Sequence, residues 1–263
     1  MKCAGDMPTS DEAIRVENLW MTFPGKRKGE QVNVLENVGL RVRRGEFVCI
    51  VGTSGCGKST LLNIIGGFLQ QTSGKVLVEG KAVAGPDPKR IFVFQENGVF
   101  PWLTVQDNVA FGLAGKAERE RRETVAHYIE MVGLTGFEKS YPRELSGGMR
   151  QRVEIARALA SSPDIIYMDE PFGALDFITR LKVRADLVRI WQEEKKTILF
   201  VTHDIEEAVQ LADTILVMSR RPATVQLSEP INLPRPRDLD SPGYLAARDR
   251  IFAAMGMSLK VGD

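Results

Sequence analysis

The sequence predicts an α/β fold built around a mainly parallel β-sheet, and three observations support it. From Ile165 onward, short apolar runs alternate with longer segments that carry apolar residues at helical spacing. Such alternation is typical of βα crossovers, which place parallel strands in one sheet. A glycine-rich turn at Gly52–Gly57 joins an apolar run to a helical stripe, and the charged stretch from Glu118 to Val132 also has helical periodicity.

The predicted elements follow each other along nearly the whole chain. Strands are predicted at residues 14–19, 38–42, 47–51, 76–79, 91–94, 165–168, 197–201 and 215–218. Helices are predicted at residues 58–69, 118–132, 149–160, 179–194, 205–211 and 244–255. The polar stretch 24–31 predicts an exposed loop, and the tail from Glu229 is rich in proline. Apolar residues make up 43% of the chain, which is enough for a sizeable core.

Charge and cysteine usage exclude several classes of protein. Lys and Arg total 35 against 34 Asp and Glu, so the net charge of +1 gives no reason to expect nucleic acid as a partner. No apolar run approaches the roughly 18 residues of a membrane-spanning helix. Cys3, Cys49 and Cys56 show neither metal-ligand spacing nor an even-numbered disulfide pattern. These features predict a reduced, cytosolic protein.

The glycine-rich turn carries the first chemical signal. It matches the pattern G-x-x-x-x-G-K-[ST] between a predicted strand and a predicted helix. Glycines let successive backbone N–H groups point at phosphate oxygens, and the helix presents its positive end to the same anion. Lys58 supplies charge for the outer phosphates, and the Ser59 hydroxyl is suited to Mg²⁺. The motif predicts a nucleoside triphosphate, without choosing among kinase, GTPase and motor. The predicted phosphate-binding residues are Gly52, Thr53, Ser54, Gly55, Cys56, Gly57, Lys58, Ser59 and Thr60.

Two adjacent carboxylates follow the apolar run at residues 165–168. A run this apolar is typical of a strand buried on both faces, and ligands of open parallel sheets lie beyond the carboxyl ends of strands. Asp169 is therefore suited to hold Mg²⁺, and Glu170 to orient or deprotonate an attacking water. A pair of acidic residues that only caps a helix is the alternative interpretation.

A second anion-binding pattern lies far from the first. Residues 145–151 read LSGGMRQ, with a hydroxyl at Ser146 followed by Gly147 and Gly148 at the start of a predicted helix. The stretch resembles the LSGGQ signature of the ATP-binding-cassette (ABC) family, with Met149 at the position usually held by Gln. The resemblance implies that two subunits pack head to tail, and that each signature closes over the ATP of the other.

The remaining motifs of that family occur in the expected order. Gln95 resembles the Q-loop glutamine that senses Mg²⁺ and the attacking water, and Asp176 belongs to a GALD stretch that resembles the D-loop at the dimer seam. His203 resembles the switch histidine that contacts the γ-phosphate. Phe23 resembles the aromatic residue that stacks on adenine, and Trp20 is the rival candidate. The resemblance thus implies Glu170, His203, Lys58 and Gln95 as catalytic residues, and Ser59, Gln95 and Asp169 as Mg²⁺ ligands.

The resemblance covers roughly residues 14 to 256 and implies a specific architecture. This is a P-loop NTPase fold with a RecA-like core and a mainly parallel sheet, an antiparallel β subdomain and a helical signature subdomain. We expect a flexible leader at residues 1–12, the ATP-binding domain at 13–243 with its helical subdomain at about 96–162, and a helical tail at 244–263.

The resemblance also implies an ATPase that powers import from the cytoplasmic face of the membrane, where permease subunits hold it. An external solute-binding protein would be an indirect partner, and a second copy of the chain a direct one. Phe100, Trp102 and Leu103 predict either a groove for a permease helix or part of a helical core.

A narrower resemblance concerns the cargo. Stretches at residues 100–105, 107–109, 180–191 and 233–238 are similar to the nitrate, sulfonate and taurine importers, although Ala223 stands where that group usually has Gly. Selectivity resides in other subunits, so the sequence does not choose among these solutes. The alternative is a soluble ABC ATPase of DNA repair or translation. Such proteins usually carry two cassettes in one chain or long coiled-coil insertions, and the sequence shows neither.

Overall fold

The structure, a computed structural model, describes residues 11–27, 29–94, 98–173 and 175–257. Short 3-10 turns occur at Phe111–Leu113 and Pro142–Glu144. The other elements, in chain order, are β1 (Glu12–Pro24), β2 (Gln31–Arg43), β3 (Phe47–Val51), α1 (Lys58–Gly66), β4 (Ser73–Val78), β5 (Lys81–Ala82), β6 (Arg90–Val93), α2 (Val105–Ala110), α3 (Glu118–Met131), α4 (Gly147–Ala160), β7 (Ile165–Asp169), α5 (Phe177–Glu194), β8 (Thr197–Thr202), α6 (Ile205–Leu211), β9 (Thr214–Met218), β10 (Val225–Pro230) and α7 (Pro242–Ala254).

The chain divides into two compact units. The terminal unit consists of Met1–Pro86 together with Val201–Asp263, and the central unit consists of Asp87–Phe200. Both have the α/β architecture expected of a P-loop NTPase, with parallel strands and an additional antiparallel sheet in the terminal unit. Among the described residues, no helix combines the length and the apolar character needed to cross a bilayer.

The terminal unit contains two groups of strands. One is an antiparallel sheet in the order β2-β1-β4-β5, in which Val16 of β1 lies opposite Leu40 of β2 and Val76 of β4. In the other group β9 lies between β10 and β3, parallel to β3 and antiparallel to β10. Every residue of β3 is buried, as expected for a strand covered on both faces.

The proline-rich stretch after β10 fastens the end of α6. Arg235 donates to the carbonyl of Leu211 at 2.6 Å, and Arg237 donates to the carbonyl of Val209. Arg235 also pairs with Asp213 at 2.7 Å. Guanidinium groups at a helix C-terminus donate hydrogen bonds to carbonyls that lack helical partners. Their positive charge also interacts favourably with the negative end of the helix dipole. This stretch, which carries part of the resemblance to anion importers, therefore has a structural role in this chain.

The central unit contains the four helices α2, α3, α4 and α5 and strands in the order β8-β7-β6. β6 and β7 are parallel, with Ile91 opposite Ile166. The short helix α2 is positioned by Asn108, which is fully buried. Its side chain accepts from the amide of Phe100 at 2.8 Å and donates to the carbonyls of Phe100 and Leu103, each at 3.1 Å. One buried amide thus fixes the stretch from Phe100 to Leu103 that precedes α2.

The predicted strands and helices lie where the pattern placed them, with informative exceptions. α1 ends at Gly66 rather than at Leu69, because Gly67 takes a left-handed conformation with φ 84° that terminates the helix. α2 was not predicted, since six residues are too few for a helical period to stand out. β10 was also missed, and Glu229 and Pro230 end this strand rather than belonging to an irregular tail. The strand lies at the edge of its group, where proline is tolerated. The predicted domain boundaries remain predictions.

Candidate functional site

The loop between β3 and α1 has two positions whose backbone conformation favours glycine. Gly55 and Gly57 have φ angles of 74° and 128°, values that residues with a Cβ rarely adopt. A Cβ on Gly57 would also lie 3.0 Å from side-chain atoms of Val34 and Leu35 in β2. The tight turn that the G-x-x-x-x-G-K-[ST] pattern requires is therefore built into the terminal unit.

The loop concentrates positive charge at the start of α1. Lys58, the first residue of this helix, is 4% exposed, and its Nζ donates to the carbonyls of Gly52 at 2.9 Å and Thr53 at 3.3 Å. Gly57 at the N-cap position contributes no side-chain cap. The positive end of the helix dipole and a buried ammonium thus lie in one short loop, an arrangement that favours anions.

Of the other side chains of the loop, Cys56 is buried, whereas Ser54 and Ser59 are exposed. Cys56 is 2% exposed, and its Sγ occupies space that a Cβ on Gly52 would approach to 2.9 Å. This thiol therefore packs beneath the loop, and the contribution of Cys56 to anion binding is limited to its backbone. Ser54 and Ser59 are exposed, and Thr60 is half-buried. The Ser59 hydroxyl lies in the first turn of α1, as a Mg²⁺ ligand of this loop requires.

His203, also in the terminal unit, is exposed in the turn between β8 and α6. Polar residues on either side fix this turn. Thr202 donates a short hydrogen bond to buried Glu207 and accepts from the amide of Asp204 at 3.0 Å. Asp204 caps α6 by accepting from the amide of Glu207 at 3.1 Å. An exposed imidazole on a rigid turn is suited to contact a ligand beyond the end of a strand.

The predicted carboxylates lie at the end of β7 in the central unit. The strand is buried up to Met168, and Asp169 and Glu170 are half-buried. Glu170 has φ 44°, which is uncommon for a residue with a side chain and is frequent at functional sites. Its carbonyl accepts from the amide of Gly173 at 3.2 Å, so the chain turns sharply after the strand. This turn directs the two acidic residues to the strand's carboxyl end, as predicted.

The signature stretch forms an ordinary helix start. Ser146 is exposed and caps α4, with its Oγ accepting from the amide of Met149 at 3.3 Å. Gly148 faces the first turn of α5, where a Cβ would collide with Thr179 Cγ2. A Cβ on Gly147 would make only an ordinary contact of 3.7 Å with Leu175. The structure thus brings the signature and the stretch resembling the D-loop together.

Asp176 caps α5 beside the signature. Its Oδ1 accepts from the amide of Thr179 at 3.0 Å. Hydrogen bonds from Thr179 lower the pKa of this exposed carboxyl. Phe177 and Ile178, the next two residues, are 70% and 58% exposed. Large apolar side chains on the first turn of a helix mark a surface suited to another protein chain.

The structure assigns no role to three of the predicted residues. Gln95 lies outside the described residues. Phe23 and Trp20 are both half-buried on β1, opposite Val32 and Ser73 respectively, so the choice between them as the adenine-stacking residue stays open. Among the part of the chain that the structure describes, no group of three or more His, Cys, Asp or Glu could hold a metal.

Sequence reasoning missed Glu154. This residue of α4 is 1% exposed and accepts backbone hydrogen bonds from Phe94 and Gly98. Buried carboxylates are rare unless they are bonded, so a lone glutamate on the apolar side of the predicted helix 149–160 was a signal that could have found it.

Comparisons with known proteins extend these observations. The family model described as ABC transporter matches residues 35–173. The nitrate import ATP-binding protein of a Synechocystis species is 49% identical, over 84% of this chain and 83% of that protein. An aliphatic sulfonates import ATP-binding protein of Bacillus cereus is 45% identical, over 84% of this chain and 88% of the other. The dimeric ATP-binding cassette MJ0796 bound to ADP and Pi superposes with a TM-score of 0.71 at 35% identity, over 83% of this chain and 99% of that one.

Proposed function

This chain belongs to the ABC transporter family and is an ATPase, and from that premise we propose that it powers import of a small solute through a membrane permease. One observation carries the proposal: the chain has two glycine-bearing helix starts suited to a phosphate anion, one in each unit. The first precedes α1 and includes Lys58, and the second precedes α4 and includes Ser146.

The proposed roles follow from what each side chain presents. Lys58 and the loop amides before α1 bind the outer phosphates, and His203 presents an imidazole to the γ-phosphate. Glu170 accepts a proton from a water that attacks the γ-phosphorus in line, while the bond to the bridging oxygen breaks and ADP leaves. Gln95 is proposed, by resemblance, to sense this water. Phe23 or Trp20 stacks on adenine.

Mg²⁺ fits the donors that these residues offer. The ion commonly uses one or two protein oxygens together with substrate phosphates, rather than a cage made only of side chains. Ser59 presents a hydroxyl and Asp169 a carboxylate, and we propose both as ligands, with Gln95 as a third. When bound, Mg²⁺ neutralises the charge that develops on the phosphate oxygens.

A second copy of the chain is the proposed partner at the signature. Ser146 is exposed, and the exposed pair Phe177 and Ile178 follows Asp176 beside the signature. Burying such side chains against another copy stabilises a dimer by removing apolar surface from water. The solved cassette that resembles this chain is itself described as dimeric and bound to ADP and Pi. We propose that each signature closes on the ATP held by the other copy.

The proposed permease contact lies on an exposed aromatic cluster, defined as Phe100, Trp102 and Phe111. The ring of Phe100 lies 5.5 Å from that of Trp102 and 4.5 Å from that of Phe111. Trp102 and Phe111 are 70% and 60% exposed, which argues against the alternative that this stretch only fills a helical core.

The proposed occupant is a helix of the permease at the cytoplasmic face of the membrane. Trp102→Ala should keep basal ATP hydrolysis and lose the stimulation that the permease provides. The matched control is Phe137→Ala, another exposed aromatic residue of the central unit. Normal stimulation of the Trp102 variant would contradict this docking site.

The proposed cargo is nitrate, a sulfonate, taurine or a similar small solute, and the names of the relatives at 49% and 45% identity support the first two. The test is ATP hydrolysis by this chain assembled with permease subunits in vesicles, with the external solute-binding protein loaded with nitrate, an alkanesulfonate or taurine. We expect one of these solutes to stimulate hydrolysis and Glu170→Gln to abolish it. Hydrolysis that none of the three solutes stimulates would contradict the cargo, and hydrolysis that needs no permease would favour a soluble ATPase.

A further inference from the structure

Glu154 connects the signature helix to the chain on both sides of Gln95. Its Oε2 accepts from the amide of Gly98 at 3.0 Å, and its Oε1 accepts from the amide of Phe94 at 3.4 Å. The carboxylate is buried in the central unit, and it lies two turns along α4 from the capping residue Ser146. Residues 95–97, between the two bonded amides, lie outside the described residues.

Gly98 and Glu154 are matched to each other. A Cβ at position 98 would lie 2.6 Å from Glu154 Oε1 and 3.3 Å from Arg157 Nη2. Any residue larger than glycine would therefore push the carboxylate away from the backbone that it binds. The close contact between the carboxylate and the backbone therefore requires both the glycine at position 98 and the glutamate at position 154.

The chemistry requires a carboxylate rather than any polar group. The two amides donate to different oxygens, so a glutamine could satisfy one of them but would turn its NH₂ group toward the other. Burial raises the pKa of Glu154, and the Gly98 amide, the charge of Arg157 and the Phe94 amide oppose that shift. A buried carboxylate is retained only where such bonds compensate its desolvation.

The same helix also contacts the aromatic cluster. Arg157, three residues after Glu154, places its guanidinium 4.7 Å from the ring centroid of Phe100. Phe100 in turn contacts the exposed rings of Trp102 and Phe111. The helix α4 thus has the signature at its start, contacts Phe94 and Gly98 through Glu154 in its middle, and contacts the aromatic cluster through Arg157 one turn later.

We propose that Glu154 is a positioning residue that fixes the backbone at Phe94 and Gly98, on either side of Gln95, to the signature helix. The inference rests on the proposed function, because it assigns Glu154 a role in the hydrolysis that Gln95 and the signature serve. It predicts that loosening this contact slows catalysis while ATP binding at the α1 loop, which lies in the other unit, is retained.

The test compares Glu154→Gln with Glu46→Gln in the full-length chain. Glu46 is a matched control in the terminal unit, since its two oxygens also accept one bond each, from the Arg43 amide at 2.8 Å and the Thr214 hydroxyl at 2.6 Å. We expect Glu154→Gln to lower kcat about tenfold with KM for ATP changed less than about twofold. The amides of Phe94 and Gly98 should exchange hydrogen about tenfold faster. Glu46→Gln should leave kcat and these exchange rates unchanged.

Gly98→Ala supplies an independent disruption of the same contact. It should lower kcat like Glu154→Gln, and the double variant should be little worse than either single one, because both changes remove one interaction. Additive losses would overturn the proposal. So would a kcat loss fully explained by a smaller folded fraction, or unchanged exchange at Phe94 and Gly98. A wild-type chain without ATPase activity would contradict the proposed function instead, while the exchange experiment would still decide whether Glu154 holds Phe94 and Gly98.

Discussion

The loop before α1 and the loop before α4 both end at a helix N-terminus, but their backbones are built differently. The first uses left-handed glycines, a buried lysine and an N-cap glycine without a side chain to offer. The second is an ordinary serine cap in extended conformation, and Ser146 is exposed. The first loop is specialised within one copy of the chain, whereas under the proposed function the second would bind phosphate only of an ATP held by another copy.

This difference predicts that damage to the two loops has different consequences. A change in the α1 loop should act on ATP affinity in a single copy. A change in the α4 loop should leave that affinity intact and act on hydrolysis.

The largest effect is expected from removing charge in one loop and adding bulk in the other. Lys58→Ala should lower ATP hydrolysis more than about a hundredfold and weaken ATP binding, because the ammonium is the principal cation of its loop. Ser146→Arg should lower hydrolysis similarly while the isolated chain keeps its ATP affinity. Titration with a fluorescent ATP analogue distinguishes the two. Equal loss of affinity in both variants would contradict the comparison.

Glycine substitutions test the backbone of each loop. Gly57→Ala should lower the free energy of unfolding by about 1–3 kcal/mol, because it forces an L-residue to a positive φ beside packed side chains. Gly147→Ala should change it by less than about 0.5 kcal/mol, since its Cβ would make an ordinary contact. Urea unfolding measures both. A Gly57 variant as stable as the Gly147 variant would show that the α1 loop is less constrained than its geometry indicates.

The smallest effect concerns the cap next to the signature. The pKa of Asp176 is lowered in the folded chain from its ordinary value of 3.8. Its charge therefore contributes stability above that value, and the contribution is lost as pH falls through the folded pKa. Asp176→Asn keeps a capping oxygen without the charge, so its Tm should fall less steeply than that of the wild type as pH decreases below about 4. Parallel Tm curves would remove Asp176 from this role.

The site residues that the sequence predicted belong to motifs whose members are adjacent in the sequence. The loop at Gly52–Thr60 is one contiguous stretch of sequence. Its glycines, lysine and hydroxyls therefore form a motif that predicts phosphate binding without knowledge of the fold. Asp169 and Glu170 follow an apolar run, and the rule that ligands lie beyond strand ends indicated them, whereas His203 was indicated by the resemblance to the ABC family. Fold class followed from the same periodicity.

What the sequence did not indicate depends on contacts between distant positions. Glu154 binds amides 56 and 60 residues away, and no local pattern encodes that pairing. Asn108 fixes its loop through hydrogen bonds of its side chain, which periodicity does not detect. β10 contains a proline and polar residues, and only its pairing with β9 makes it a strand.

In the proposed dimer, one ATP is held by the α1 loop of one copy and the α4 loop of another. Lys58→Ala and Ser146→Arg chains, each inactive alone, are mixed in equal amounts and assayed for ATP hydrolysis. Shared sites give every mixed dimer one intact pair of loops, so about a quarter of wild-type activity should return, because random pairing makes about half of the dimers mixed. A mixture as inactive as its two components, with both chains folded and wild-type chain active in the same assay, would contradict the claim.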